Sequence, residues 1–62
     1  MPLVYHFAGA DKVYLNEELR FTFDLEKAHK FTYKRANELV EICDEQYYPD
    51  MKFYLEQVQG NL

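Results

Sequence analysis

The sequence contains no serine and no tryptophan, and it has a single cysteine, Cys43. The lack of serine excludes a serine nucleophile, and one cysteine cannot form a disulfide within the chain. Only two glycines and two prolines are present, which excludes a glycine-rich phosphate loop and a low-complexity linker. No apolar run approaches the roughly 20 residues that a membrane-spanning helix needs. We therefore expect one small domain over residues 1–62.

What the chain does contain is a large apolar and aromatic fraction. Hydrophobic residues make up 48% of the 62 residues and aromatic residues 18%, a composition that argues against intrinsic disorder. A chain of this length buries only about 60% of the surface that it exposes when unfolded, so its stability is marginal. The N-terminus lacks the basic and apolar segments of a signal peptide, and a lone cysteine suits a reducing compartment. These features predict a cytoplasmic protein.

Four segments alternate apolar and polar residues as strands do, namely 3–8, 12–15, 19–23 and 51–58. Gly9, Ala10 and Asp11 form a short hairpin loop between the first two. The third segment is either a short strand or an extended connection, and the last four residues, 59–62, are expected to fray. The residues expected on the sheet face that a helix covers are Leu3, Tyr5, Phe7, Leu15, Phe21, Phe23, Phe53 and Leu55.

Between residues 24 and 49 the periodicity becomes helical. Asp24 is placed to cap a short helical turn, and Thr32 is placed to cap a longer helix that Pro49 ends. One side of the longer helix carries an apolar stripe made of Ala36, Leu39, Val40, Cys43 and Tyr47. The sequence therefore predicts an α+β fold: a small antiparallel sheet of three or four strands, one main helix packed on one face, and a short helical turn before it.

The spacing T-x-D-L-x-x-A-x-x-F from Thr22 to Phe31, between a hairpin and a helix with a closing strand, resembles small proteins of phages and prophages of Gram-positive bacteria. The motif itself is explained by a helix cap and three core residues, Leu25, Ala28 and Phe31. The resemblance implies the fold and a phage genome rather than an activity. It further implies a modulator or inhibitor of a host or phage protein, in the cytoplasm of the bacterial host.

Catalytic chemistry finds no support in the residue pattern. Cys43 belongs to the apolar stripe and has acidic neighbours, whereas a reactive thiol needs exposure and a positive neighbour. His6 and His29 each lack a second ligand at the short spacings of small metal sites. We therefore expect no catalytic residues, no metal and no cofactor, and we predict that the protein is not an enzyme.

Charge is distributed unevenly along the chain, whose formal net charge is −4. The segment 27–37 holds four bases and no acid, and this basic patch is the candidate contact for nucleic acid: Lys27, Lys30, Lys34 and Arg35. The negative charge of the whole chain opposes binding to nucleic acid. A nucleic-acid-associated accessory protein is accordingly the second hypothesis.

An acidic face on the main helix is the first candidate surface for a protein partner. Its residues, Glu38, Glu41 and Glu45, share the side opposite the apolar stripe. Acids towards a helix C-terminus oppose the macrodipole, so this placement does not serve helix stability. A solvated face that keeps the domain soluble is the alternative interpretation.

The tyrosines supply the second candidate surface. One sheet face cannot bury eleven aromatic side chains, so Tyr14, Tyr48 and Tyr54 are expected to be partly exposed and to contact a partner. Cross-strand packing and self-association are the alternatives.

The sequence as a whole predicts a small non-catalytic binding protein with a protein partner and no membrane contact. A homodimer is also compatible with the sequence. A structural or assembly component acting as a homo-oligomer is the third hypothesis.

Overall fold

A computed structural model describes residues 1–58 of the chain. Four strands and one main helix make up the domain, with a 3-10 turn before the helix and a π turn directly after it. In chain order the elements are β1 (Pro2–Ala8), β2 (Asp11–Leu15), β3 (Phe21–Thr22), the 3-10 turn (Leu25–Lys27), α1 (Tyr33–Ile42), the π turn (Cys43–Tyr47) and β4 (Tyr54–Gln57).

The strands form one antiparallel sheet in the order β3-β2-β1-β4. A two-residue turn joins β1 to β2, and Gly9 at its first position has a φ of 65°, as a turn of type II′ requires. The α+β class predicted from the sequence is confirmed. Of the third predicted strand, 19–23, only Phe21–Thr22 pairs with β2, because the chain before it turns sharply at Leu19.

Both predicted helix caps are confirmed. The Asp24 carboxylate accepts a hydrogen bond from the Glu26 backbone N–H, and the Thr32 hydroxyl accepts one from the Arg35 backbone N–H. Between the two caps the chain passes the N-terminal end of β1, where the Phe31 backbone N–H donates to the Pro2 carbonyl. These bonds fix where α1 starts relative to β1.

The helix widens before it ends. The Tyr48 backbone N–H donates to the Cys43 carbonyl, the five-residue spacing of a π turn. Because the wider turn carries Tyr47 away from the apolar stripe, that side chain is 68% exposed, and the prediction that it is buried is wrong. Asp44 accepts a hydrogen bond from the Phe53 backbone N–H at 2.8 Å, which ties the end of the helix to the chain leading into β4.

The core lies between α1 and one face of the sheet, here called the covered face. It consists of Val4, Leu15, Phe31, Ala36, Leu39, Cys43 and Phe53, with Val40, Met51 and Leu55 packed against it. The predicted orientation of β1 is wrong, because Val4 and His6 point to the covered face and are buried. Tyr5 and Phe7 lie on the opposite face, here called the open face.

Two further core predictions are wrong, whereas those for Leu15, Phe31 and Phe53 are confirmed. Phe23 and Leu25 are more than half exposed, because they follow the two-residue β3 and leave the sheet. Phe53, by contrast, is buried as predicted, and Leu55 packs beside it. The tail expected to fray, 59–62, lies outside the described residues. Among residues 1–58, no helix has the length and apolar character that a bilayer crossing requires.

Candidate functional site

A strained loop between β2 and β3 presents an apolar side chain. Leu19 has a φ of 63°, a left-handed conformation that costs a residue other than glycine roughly 1–2 kcal/mol. Asn16 holds the loop in this shape, since its side-chain oxygen accepts hydrogen bonds at 2.9 Å from the backbone N–H groups of Glu18 and Arg20. The Leu19 N–H also donates to the Asn16 carbonyl at 3.0 Å. The Leu19 side chain is nevertheless 45% exposed, so burial does not account for the strained geometry.

Leu19 forms one wall of a groove whose opposite wall is the end of the main helix. We call it the Leu19 groove, and it has a volume of about 270 Å³. Its lining residues are all apolar or aromatic: Leu15, Leu19, Leu39, Ile42, Cys43, Tyr47 and Tyr48. Leu19, Tyr47 and Tyr48 are exposed at its rim, whereas Leu15, Leu39 and Cys43 are buried.

The helix supplies the floor of the groove through residues that also belong to the core. Leu39 and Cys43 are buried, while Ile42 is half-buried at the edge. Burial raises the pKa of the Cys43 thiol, and the Asp44 carboxylate beside it adds to this effect. The prediction that Cys43 is a core residue is confirmed, and the thiol has the environment of an inert cysteine.

An aromatic cluster closes one end of the groove. Tyr48 packs against Phe21 at 5.3 Å and against Phe53 at 5.8 Å between ring centroids. His6 lies between the same two phenylalanines, at 4.8 Å from Phe21 and 5.0 Å from Phe53. Tyr47 extends from this cluster towards solvent. The groove is therefore continuous with a half-exposed aromatic surface.

The predicted acidic face lies along the solvent side of the same helix. Glu38, Glu41 and Glu45 are all exposed. Glu38 is one helical turn before Ile42 and lies on the same side of the helix, whereas the described lining of the groove includes none of the three glutamates. Arg35 lies 3.7 Å from Glu38, and among residues 1–58 neither Glu41 nor Glu45 forms an ion pair within 4.0 Å.

The three tyrosines proposed as one partner surface do not lie together. Tyr14 is on the open face and is only 8% exposed, so the expectation that it is accessible is wrong. Tyr54 is on the open face in register with Tyr5, where the two rings stack at 5.5 Å. Tyr48 lies on the covered side of the sheet and lines the Leu19 groove. Of the three, it alone belongs to the groove.

The open face is largely closed by its own polar side chains. The Lys12 amine donates to the Glu56 carboxylate at 2.8 Å and lies 4.7 Å from the centre of the Tyr5 ring. The hydrogen bond to Glu56 raises the pKa of the Lys12 amine. Burial raises the pKa of the Tyr14 phenol, and the Glu56 charge adds to it. Phe7, at 49% exposure, remains the most accessible aromatic side chain on this face.

The basic patch does not form one continuous surface. Lys30 lines a cavity of about 550 Å³ together with Glu26 and Glu56. Lys27 lines a separate cavity together with Asn16, Glu17 and Glu18. Arg35 lies beside Glu38, and Lys34 is exposed on the first turn of α1. Acidic residues therefore stand near three of the four bases.

The sequence alone pointed to parts of this site but missed its centre. Comparisons of the chain with protein-family models, with curated proteins and with solved structures found no match. No group of three or more histidine, cysteine or acidic residues among residues 1–58 could hold a metal ion. The sequence places Leu19 in a segment that is either a short strand or an extended connection, and the only signal for the loop is an isolated leucine directly after the polar residues 16–18.

Proposed function

We propose that the chain is a small non-catalytic binding protein that contacts a protein partner through the Leu19 groove. The observation that carries the proposal is the conformation of Leu19, which is held in a strained backbone geometry while its side chain stays 45% exposed. Residues held in sparsely populated backbone conformations cluster at functional sites, where the surrounding structure keeps them in place.

The composition of the groove supports a protein partner over a small molecule. Among residues 1–58 its lining includes no charged side chain, and its volume of about 270 Å³ lies below the range of small-molecule sites, roughly 300 to 1,000 Å³. Tyrosine is enriched at protein interfaces because it offers a large contact area with a polar tip. Tyr47 and Tyr48 stand at the end of the groove with these properties.

The resemblance to phage and prophage proteins gives the proposal its biological setting. On that basis the partner is a protein of the bacterial host or of the phage, and binding in the cytoplasm modulates or inhibits it. Nucleic-acid binding ranks lower, because acidic side chains lie near Lys27, Lys30 and Arg35. A homo-oligomer is the remaining alternative.

A matched pair of variants on the two sides of the molecule tests the proposal. The tagged chain captures proteins from a lysate of phage-infected bacteria, and mass spectrometry identifies those retained by the wild type. Leu19→Asp introduces a charge into the groove, and Phe7→Asp makes the same change on the open face at similar exposure, 49% against 45%. We expect Leu19→Asp to lose the captured partner and Phe7→Asp to retain it.

Circular dichroism and gel filtration complete the test. Both variants must show the far-ultraviolet spectrum of the wild type, because the substituted side chains are half exposed. Retention of the partner by folded Leu19→Asp, or its loss by Phe7→Asp alone, contradicts the proposal. A salt-sensitive shift on gel filtration with single-stranded DNA would favour the nucleic-acid alternative, and a large homo-oligomer would favour the assembly alternative.

A further inference from the structure

We infer that Asn16 is a positioning residue for the Leu19 groove: its side-chain oxygen fixes the loop wall of the groove, although Asn16 is not among the described lining residues. The inference rests on the proposed function and adds the residue that sets affinity at that site. It follows from the bonds on either side of Leu19, from the anchoring of Asn16 in the fold, and from the balance between those bonds and the backbone strain.

Leu19 is tied to Asn16 on both sides. The Leu19 N–H donates to the Asn16 carbonyl at 3.0 Å, and the Asn16 N–H donates to the Arg20 carbonyl at 2.8 Å. The side-chain oxygen of Asn16 accepts from the N–H groups of Glu18 and Arg20, each at 2.9 Å. Since one of these two groups precedes Leu19 and the other follows it, the oxygen restricts the backbone rotations of Leu19 itself.

The two bonds to the side-chain oxygen favour the left-handed conformation in particular. Backbone N–H groups converge on one acceptor where a right-handed residue is followed by a left-handed one, an arrangement called a nest. The N–H groups of Glu18 and Arg20 converge in this way, and Leu19 between them has a φ of 63°. By contrast, a bond from an N–H to the carbonyl three residues earlier, such as that from Leu19 to Asn16, is common to ordinary β-turns.

Asn16 is itself held in the fold. The residue before it, Leu15, is 3% exposed and belongs to both the core and the groove lining. The Asn16 backbone forms an antiparallel bridge with Ala28, and the His29 N–H donates to the Leu15 carbonyl at 3.1 Å. The oxygen that holds the loop is therefore fixed relative to the core, which also contains Leu39 from the helix side of the groove.

The hydrogen bonds and the strain are of similar size. A left-handed leucine is disfavoured, and the hydrogen bonds to the Asn16 oxygen together offset a comparable free energy. Loss of the oxygen should therefore let Leu19 leave the left-handed conformation in a large fraction of the folded molecules. A site that only a fraction of the molecules presents has its apparent affinity reduced by that fraction. Asn16 thus controls the affinity of the groove through Leu19.

Indole, a neutral aromatic compound, is a probe of the intact groove, whose volume is about 270 Å³. In NMR titrations of the full chain, the methyl signals of the lining residues Leu19, Leu39 and Ile42 report binding of indole. We expect Asn16→Ala to weaken indole binding by at least about fivefold. Asn16→Asp keeps an accepting oxygen at the same position, so it should bind indole within about twofold of the wild type.

Two further variants separate positioning from a general loss of stability. Asn16→Gln keeps the amide but moves its oxygen by one methylene, so it should weaken indole binding as alanine does, and it replaces Asn16→Ala if that variant does not fold. Asp24→Ala removes a chemically matched bond, since the Asp24 carboxylate accepts from the Glu26 N–H at 2.9 Å in an exposed turn. It should leave indole binding unchanged even where the urea midpoint falls. Urea unfolding establishes that each variant is folded during the titration.

The outcomes separate this inference from the proposed function. Unchanged indole binding in the alanine and glutamine variants of Asn16, or an equal loss in Asn16→Asp or Asp24→Ala, overturns the inference. Lining methyl signals of the wild type that do not respond to indole overturn it as well. If the inference falls while Leu19→Asp still loses the captured partner, the proposed function stands. If the Asn16 variants behave as expected while folded Leu19→Asp retains the partner, the proposed function fails and the role of Asn16 in shaping the groove stands.

Discussion

The two faces of the sheet carry similar numbers of aromatic rings and use them differently. On the open face, Tyr5 lies under the Lys12–Glu56 ion pair, and Tyr14 is buried beside it. On the covered side, Phe21 and Tyr48 remain half exposed at the end of the Leu19 groove, whose lining carries no charged side chain within the described part of the chain. Phe7 and Tyr54 on the open face are as exposed, at 49% and 37%, so the two faces differ in the apolar groove beside the rings rather than in the exposure of the rings.

The contrast also locates the stability of the domain. The covered face has a helix packed on it, and Leu39 of that helix, Val4 and Phe53 are buried almost completely. The open face has one ion pair with both side chains about a third exposed, and pairs of that kind contribute little, about 0–1 kcal/mol. Substitutions on the two faces should consequently differ in size, and the predictions below test that difference.

The largest effect is expected from truncating the same residue type on each face. Phe53→Ala removes a buried ring from the core and should cost about 3–5 kcal/mol, enough to unfold much of a domain this small. Phe7→Ala removes a half-exposed ring and should cost less than about 1 kcal/mol. Urea unfolding followed by circular dichroism measures both. Equal losses would show that the open face is as tightly packed as the covered one.

His6 offers the next effect, in the opposite direction. Its Nδ1 lies 3.3 Å from the Phe7 carbonyl, and its buried Nε2 has no hydrogen-bond partner among residues 1–58. A buried polar atom without a partner costs about 1–3 kcal/mol. His6→Phe keeps a ring between Phe21 and Phe53 and removes the unpaired nitrogen. The free energy of unfolding should therefore rise by about 1 kcal/mol, and the urea midpoint should rise with it. A loss of stability would indicate that Nε2 has a partner in solution.

Much of the fold could be predicted from the sequence because its signals are local. The caps at Asp24 and Thr32 depend on one side chain and the backbone two or three residues away. The stripe of Ala36, Leu39, Val40 and Cys43 follows directly from helical periodicity. Alternation in β1 identified a strand as well. The predicted side of that strand was wrong, because both of its sides are apolar and the sequence pattern alone does not choose which side faces the helix.

The candidate site was harder to predict because it depends on contacts between distant parts of the chain. The groove forms where the loop at Leu19 meets the helix end at Ile42, and the left-handed turn is imposed by Asn16. A leucine gives no sequence signal for that conformation, since glycine or asparagine is the usual residue there. The π turn that exposes Tyr47 likewise overrides the α-helical period.

Cys43 connects the groove to the core, and its ionisation should produce a smaller, pH-dependent effect. Burial raises the pKa of the thiol above its ordinary value of 9.0, so the folded chain holds the proton more tightly than the unfolded chain. The stability from the neutral thiol is therefore present below the unfolded pKa and is lost as pH rises through the folded one.

Urea titrations at about pH 8 and about pH 10 measure this loss. The wild type should lose more stability over that interval than Cys43→Ala, because the raised pKa of Tyr14 and that of Lys12 act equally in both proteins. The thiol should also react slowly with a thiol reagent in the native state and quickly in denaturant. Fast native labelling would contradict the burial of Cys43 beneath the groove.

The smallest change in stability is expected at Leu19, where the effect on binding should be large. Leu19→Gly relieves the left-handed strain, worth about 1 kcal/mol, but increases the entropy of the unfolded chain and removes a half-exposed contact. These contributions oppose one another, so the net change should stay below about 1 kcal/mol.

Leu19→Asn also tolerates the left-handed conformation and adds a polar side chain to the groove. Both variants should unfold close to the wild-type urea midpoint and retain little of the partner captured by the wild type. If Leu19→Gly instead destabilised the domain by several kcal/mol, the leucine would be a core residue and its exposed side chain could not be attributed to partner binding.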